Sequence, residues 1–218
     1  MGEVLDLQQR WTVGESIGRG GFGHVYALEG GDSPNAVKFV PKAPGSDREL
    51  LFVDLGDAVN VVPVIDSGEH GNYWVLVMPR AEESLRDLLN SSKGLLQLDQ
   101  TVSVLLDISL SLESLEGGIV HRDVKPDNVL FLDGRWCLAD FGIARYAEAS
   151  TAPDTQKHSL TPQYAAPERW RFERATSATD IYSVGVMAYE MVAGELPFQG
   201  LTSDDFREQH LHQNALLT

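Results

Sequence analysis

The run His121-Arg122-Asp123-Val124-Lys125-Pro126-Asp127-Asn128, with Asp140-Phe141-Gly142 beginning twelve residues after Asn128, constrains this chain more than any other feature. It spaces two carboxylates, a carboxamide and a lysine as a nucleoside triphosphate and two metal ions require, and so predicts a phosphoryl-transfer centre. Asp123 would accept the proton of an attacking hydroxyl. Asn128 and Asp140 would hold Mg²⁺, with Mn²⁺ an alternative, through hard oxygen ligands, and Lys125 would neutralise charge on the transferred group. Singly, each residue has a plain reading in turn chemistry. That chemistry does not account for the ordered set.

At 218 residues and 43% hydrophobic, the chain can bury a sizeable core as one large domain or two small lobes. Its 32 acidic against 17 basic residues give a formal charge of −15, which argues against nucleic acid or an anionic membrane as partner. The single cysteine, Cys137, leaves no intrachain disulfide and suits a reducing compartment. No apolar run reaches the ~20 residues of a membrane span, and Met1-Gly2-Glu3-Val4-Leu5-Asp6 lacks the parts of a signal peptide, so the segment is expected in the cytoplasm.

Residues 11–40 alternate apolar and polar positions around glycine turns, with Gly30-Gly31-Asp32 as a hairpin, and predict an antiparallel sheet. Residues 46–55 predict one short helix, capped by Ser46 with Glu49 three residues on; residues 61–65 and 73–78 predict further strands. After Pro79 the pattern becomes helical, over 84–89 and 98–115. Strands at 129–131 and 137–139 flank an Asp133-Gly134 turn, and 145–158 has no period and predicts a mobile loop. Residues 179–193 are apolar almost all round, which predicts a buried helix.

Ile17-Gly18-Arg19-Gly20-Gly21-Phe22-Gly23-His24-Val25 is a Gly-x-Gly-x-x-Gly loop whose bare backbone N–H groups can approach phosphates. Because Val25-Tyr26-Ala27 reads as a returning strand, a flap over a nucleotide fits better than a dinucleotide-binding turn. Lys38, ending the strand Ala36-Val37-Lys38, is the candidate for the α- and β-phosphates, with Glu49 its candidate ion-pair partner. Val25 and Ala36 would roof an adenine pocket.

The glycine loop, Ala36-Val37-Lys38, the run 121–128, Asp140-Phe141-Gly142 and Ala166-Pro167-Glu168 stand in the order of the eukaryotic-like protein kinase family, which the chain resembles over about residues 11–205. Lys125 and Thr161 resemble the serine/threonine branch, and Tyr182, where many eukaryotic members carry Trp, resembles bacterial members. The resemblance implies an α+β bilobal fold: an N-lobe of antiparallel sheet plus one helix over 1–78, a hinge at 79–82 and a mainly helical C-lobe over 83–218. It implies that Ile17, Gly18, Gly20, Gly23, Val25, Ala36, Lys38, Met78, Pro79, Arg80 and Leu130 bind ATP, and that Asp123, Lys125, Lys38, Glu49 and Thr161 serve catalysis. Asn128 and Asp140 remain the Mg²⁺ ligands, a protein is the substrate, and Arg122 would receive a phosphate placed on Thr155 or Thr151 by autophosphorylation.

Several features depart from the family pattern. The segment before Ser84 is one residue short, so either Val77 or Met78 stands as gatekeeper. Lys38 and Glu49 are unusually close in sequence, and Leu160 replaces a glycine. The chain stops at Thr218, short of further C-lobe helices, so residues 179–193 are expected to need a longer polypeptide or self-association to cover them. A pseudokinase scaffold is the alternative reading, opposed by the intact Lys38, Asp123, Asn128 and Asp140. An antibiotic phosphotransferase would lack Ala166-Pro167-Glu168.

Overall fold

A computed structural model describes residues 2–20, 23–30, 33–42, 55, 58–115, 119–141, 145–146 and 160–213. The N-terminal half is an antiparallel sheet of six strands: β1 (Val4–Asp6), β2 (Arg10–Gly20), β3 (Gly23–Glu29), β4 (Asn35–Pro41), β5 (Asp66–His70) and β6 (Tyr73–Pro79), in the order β1-β2-β3-β4-β6-β5. Residues directly opposite in a ladder share a face. Val25 pairs with Lys38, Ala27 with Ala36, Ala36 with Met78 and Lys38 with Leu76, so these side chains lie together on one face. Val37, Phe39, Val75 and Val77 take the other and build the lobe's core with Leu5, Trp11, Val13 and Leu28.

The expected strand over 61–65 is corrected. Val61 makes only an isolated bridge to Leu138, and the strand that covers the edge of β6 opposite β4 is the polar stretch Asp66-Ser67-Gly68-Glu69-His70. Its buried position carries a carboxylate where an apolar residue is usual. Asp66 is 3% exposed and accepts from the Trp11 indole at 2.8 Å and from the backbone N–H groups of Gln9 at 3.0 Å, Gln8 at 3.3 Å and Ser67 at 2.8 Å. Four donors make that burial tolerable and staple the β1–β2 turn to the sheet edge.

The sheet strand keeps both Met78 and Pro79, so the chain leaves it at Arg80, whose N–H donates to the Pro34 carbonyl at 3.0 Å. It joins the second half at β7 (Glu83–Ser84), which pairs with β9 (Val129–Leu132), itself paired with β10 (Arg135–Leu138) across a turn where Asp133 and Gly134 both have positive φ. Helix α1 (Leu85–Ser91) starts in a capping box between Ser84 and Asp87. That bond to Ser84 holds the Asp87 carboxyl below its ordinary range.

Helix α2 (Leu98–Ser114) packs against β10 and against α4 (Ser177–Ala193) around Val104, Ile108, Leu138, Met187 and Met191. The remaining described elements are β8 (Ile119–Val120), β11 (Arg145–Tyr146), α3 (Pro167–Trp170) and α5 (Ser203–His212). Arg145 and Tyr146, expected in a structureless loop, pair antiparallel with β8 because two residues are enough to complete its ladder. The expected helix over 46–55, with Glu49, lies outside the described residues except for Leu55.

Within the described residues α4 is covered on one side only. Ile181 and Val192 are 58% and 56% exposed, while the buried side holds Thr179, Asp180, Ser183 and Glu190 among Val186, Met187 and Met191. A burial pattern read from apolar residues alone therefore misses why this helix matters. Its polar residues hold the backbone at His121 and Arg122 and the segment around Tyr164.

Candidate active site

Two glycines of the β2–β3 hairpin have different reasons to be glycine. A Cβ on Gly23 would sit 2.2 Å from the Phe39 carbonyl oxygen, so the sheet itself forbids a side chain there. A Cβ on Gly18 would meet only the Val25 Cβ, at 3.8 Å, an ordinary contact. Packing explains Gly23; Gly18 keeps an open backbone that packing does not require. Gly20 pairs with Gly23 at the hairpin end, and Ile17 falls in the register shift between Ser16 and Gly18, 37% exposed.

Beneath the sheet face that carries Val25, Ala36 and Lys38, Met78 packs with Leu130, Val62, Cys137 and Ala139. Of the two gatekeeper candidates, Met78 faces this apolar floor, whereas Val77 is fully buried in the core on the other face. Lys38, 6% exposed, reaches across to donate to Asp140 Oδ1 at 2.9 Å. Residues 102 positions apart in sequence thus meet as a partly buried ion pair.

The chain from His121 to Asn128 is folded around Asp123. Its carboxylate accepts from Lys125 Nζ at 2.6 Å and Asn128 Nδ2 at 3.1 Å on Oδ2, and from the Thr161 hydroxyl at 2.6 Å on Oδ1; Lys125 also donates to Thr161 at 3.0 Å. A 3-10 turn over Pro126–Asn128 swings Asn128 back so that Nδ2 also donates to the Asp123 carbonyl at 2.9 Å. Both Asn128 amide hydrogens point to Asp123, which directs its carbonyl oxygen elsewhere. The structure therefore brings Asp123, Lys125, Asn128 and Thr161 into one cluster and Lys38 and Asp140 into another. Glu49 lies outside the described residues.

Two residues of the site are strained. Arg122 and Asp140 both have positive φ, 73° and 63°, a conformation that costs a non-glycine residue about 1–3 kcal/mol. Asp180 of α4 supplies the restraint at Arg122. Its carboxylate, 3% exposed, accepts from the backbone N–H of His121 at 2.8 Å and of Arg122 at 2.7 Å. Burial pushes the Asp180 carboxyl above its ordinary range, while the charge of Arg122 and those backbone donors pull it down.

His121, fully buried, lies 2.9 Å from the Ala139 carbonyl through Nε2 and accepts from the Asp123 N–H through Nδ1 at 3.3 Å. A ring protonated on Nε2 satisfies both contacts. It thereby ties Asp123 to the strand end that carries Asp140.

A second network holds the segment with Thr161. The Tyr164 hydroxyl donates to Glu190 Oε2 at 2.5 Å and accepts from Arg86, which donates to Glu190 Oε1 at 2.7 Å; Ser183 Oγ donates to the Tyr164 carbonyl at 2.8 Å. Burial and Glu190 together keep the Tyr164 hydroxyl well above its ordinary range. Burial alone would lower Arg86, but the hydrogen bond and charge of Glu190 outweigh it and hold the guanidinium charged. Glu168 accepts from the Thr179 hydroxyl at 2.5 Å. The resemblance covers Asp180 within a buried-helix motif but implies no role for it, nor for Glu190 or Arg86, although a carboxylate on an otherwise apolar helix is a usable signal.

Residues 11–218 match the family model described as a protein kinase domain. A probable serine/threonine-protein kinase of Clostridium perfringens is 30% identical over 96% of this chain and 32% of its own length. The serine/threonine-protein kinase PkaB of Streptomyces coelicolor is 35% identical over 89% of this chain and 51% of its own, and PknL of Mycobacterium tuberculosis is 35% identical over 89% and 52%. This chain belongs to the protein kinase domain family. It spans between 32% and 52% of the length of these three curated relatives. Among the described residues no helix is long and apolar enough to cross a membrane.

Proposed function

We propose that this chain is an ATP-dependent serine/threonine protein kinase, moving the γ-phosphoryl group of ATP to a serine or threonine hydroxyl of a protein. The observation that carries the reading is the donor count at Asp123. An ionised carboxylate offers about four lone-pair sites. Lys125, Asn128 and Thr161 use three of them, two on Oδ2 and one on Oδ1. The fourth, on Oδ1, suits an incoming hydroxyl. The hydroxyl oxygen bonds to phosphorus as the bond to the bridging oxygen of ADP breaks, and Asp123 takes the proton. Lys125, already beside Thr161 and Asp123, offsets negative charge on the moving group.

Adenine fits between the Val25–Ala36 face and the Met78–Leu130 floor, with residues 79–82 as the connecting hinge between lobes at 1–78 and 83–218. Gly18, Gly20 and Gly23 would line the phosphates, and Lys38 would orient them with Glu49. The Asn128 carbonyl oxygen and the Asp140 carboxylate suit Mg²⁺, which takes one or two protein oxygens plus substrate phosphates in place of an all-protein cage. Among the described residues no cluster of three or more His, Cys, Asp or Glu offers such a cage. When bound, the ion neutralises phosphate charge. The same reading puts regulation in residues 150–159, where phosphate added by the chain itself would pair with Arg122.

Incubation with radiolabelled ATP, Mg²⁺ and histone tests the whole reading. Label is expected on histone and, by mass spectrometry, between Ser150 and Ser159, with Lys38→Met and Asp140→Asn each lowering transfer roughly 10³-fold in a chain that still folds, although loss of either partner of the Lys38–Asp140 ion pair lowers its melting temperature. A chain that binds ATP yet transfers nothing would be a scaffold instead.

A further inference from the structure

The two halves of the molecule are joined a second time, through residues 60–65, and Asn60 is where that connection is fixed. Its Nδ2 donates to Asp107 of α2 twice, to the carbonyl oxygen at 3.1 Å and to Oδ1 at 3.2 Å. Its carbonyl oxygen accepts from the Ser111 hydroxyl of α2 at 2.7 Å and from the Leu138 N–H of β10 at 2.8 Å. Asp107 in turn accepts from the Trp136 N–H of β10 through Oδ2 at 3.0 Å. Asn60 is thus bonded to both elements, and Asp107 ties them to each other. The residue is left-handed, with φ 51°. A glycine would take that turn with less strain, so the backbone alone does not call for an asparagine. The amide and its two bonds to Asp107 do.

The residues after Asn60 lead to the Lys38–Asp140 pair. The Val62 N–H donates to the Leu138 carbonyl at 3.0 Å, so residues 60–62 hold Leu138 through both its N–H and its C=O. Leu138 ends β10, two residues before Asp140, and the Ala139 N–H between them donates to the Asn128 carbonyl at 2.9 Å. On the other side, the Ile65 N–H donates to the Val77 carbonyl of β6 at 2.8 Å, and Val77 pairs with Val37, next to Lys38. Residues 61–65 therefore connect the strand that leads to Asp140 with the sheet that carries Lys38. Pro63, in the middle of them, fixes its own φ and biases Val62 toward an extended backbone, so the connection is short and stiff.

We propose that Asn60 is a positioning residue for the nucleotide: by pinning residues 60–62 to α2 and β10, it sets how the sheet with Lys38 stands over Asp140 and Asn128. The inference rests on the kinase reading given above. It assigns Asn60 no contact with ATP or with protein substrate. Lys38 lies in the first half and Asp140 in the second, so a slackened pin misplaces the two sides of the nucleotide site relative to each other. Asp123, Lys125 and Thr161 all lie in the second half and keep their geometry.

Steady-state kinetics on the full chain, varying ATP and histone separately, supply the test. Asn60→Gly keeps the left-handed turn and removes only the amide. The KM for ATP should rise about fivefold, the scale of one ordinary hydrogen bond, while the KM for histone stays unchanged. Asn60→Asp keeps the side-chain shape but sets a carboxylate against that of Asp107, and should raise the KM for ATP further. Ser111→Ala, which leaves residue 60 in place with its Leu138 bond, should raise it less. A purely structural anchor would lower the melting temperature and kcat together by reducing the folded fraction, with both KM values as in wild type. That result would overturn the proposal, as would equal rises in the KM for ATP and for histone. A wild-type chain that labels nothing sinks the kinase reading and this inference together, whereas normal wild-type labelling with either of the other failures sinks the inference alone.

Discussion

Residues 121–128 and residues 160–164 meet at Asp123, and α4 holds both, but by different means. The first run is fixed through its backbone: Asp180 takes the N–H groups of His121 and Arg122, which leaves the side chains of Asp123, Lys125 and Asn128 to form their own cluster. The second is fixed through side chains and carbonyls, with Tyr164 clamped by Arg86, Glu190 and Ser183. A backbone clamp fixes the loop whatever its side chains do. A side-chain clamp ties the geometry of the segment to the identity of several remote residues, so residues 160–164 are the more easily retuned of the two.

The comparison breaks most visibly at Asp180. Asp180→Asn replaces an acceptor oxygen by an NH₂ facing a backbone N–H, and the left-handed Arg122 loses half its restraint. A stability loss of about 3 kcal/mol and a fall in kcat of about 100-fold are expected, read from a denaturant midpoint and from ATP turnover. If both regions were held by packing alone, the substitution would be nearly silent.

Glu190→Gln is the counterpart on the substrate side. It leaves the Arg86 guanidinium with only the more distant Asp127 carboxylate, at 3.5 Å, as counter-charge and weakens the grip on Tyr164, for about 2 kcal/mol of stability. Kinetics should differ in kind: KM for a protein substrate rises while ATP binding, measured by titration calorimetry, stays put. Equal damage to ATP binding would mean that the two regions are not separable.

The smallest effect is one of pH. Burial depresses the His210 pKa below the ordinary histidine value of about 6.5. Between the folded and unfolded values the unfolded chain binds more protons, so stability rises with pH there. The contribution is complete above about pH 7 and is lost as pH falls through about 6.5 toward the folded value. His210→Phe should flatten that part of the melting-temperature profile, and a profile identical to wild type between pH 7 and 5 would show that the buried imidazole does not titrate there.

Much of this was legible in the chain. Alternation over 11–40 gave the sheet because one face had to be buried, and Asp133-Gly134 gave its turn because both residues tolerate positive φ. The order of Lys38, Asp123, Asn128 and Asp140 gave the family, since such chemistry needs those residue types. The strand at Asp66–His70 escaped because its inward residue is a carboxylate satisfied by distant donors, which no apolar pattern registers. The choice between Val77 and Met78 could not be settled by counting, because a one-residue offset exchanges the two faces of a strand; pairing with Ala36 settled which of them faces the cleft.

The sequence by itself determined which chemical groups the site contains and the short-range turns that present them, because glycine, proline and capping preferences act within a few residues. Only the tertiary structure decided what holds those groups in place. Asp180 meets Arg122 across 58 positions, Arg86 meets Glu190 across 104 and Tyr182 meets His210 across 28. No local preference encodes such contacts. They form because an unpaired buried carboxylate, guanidinium or imidazole is costly enough that the fold must bring each one a partner.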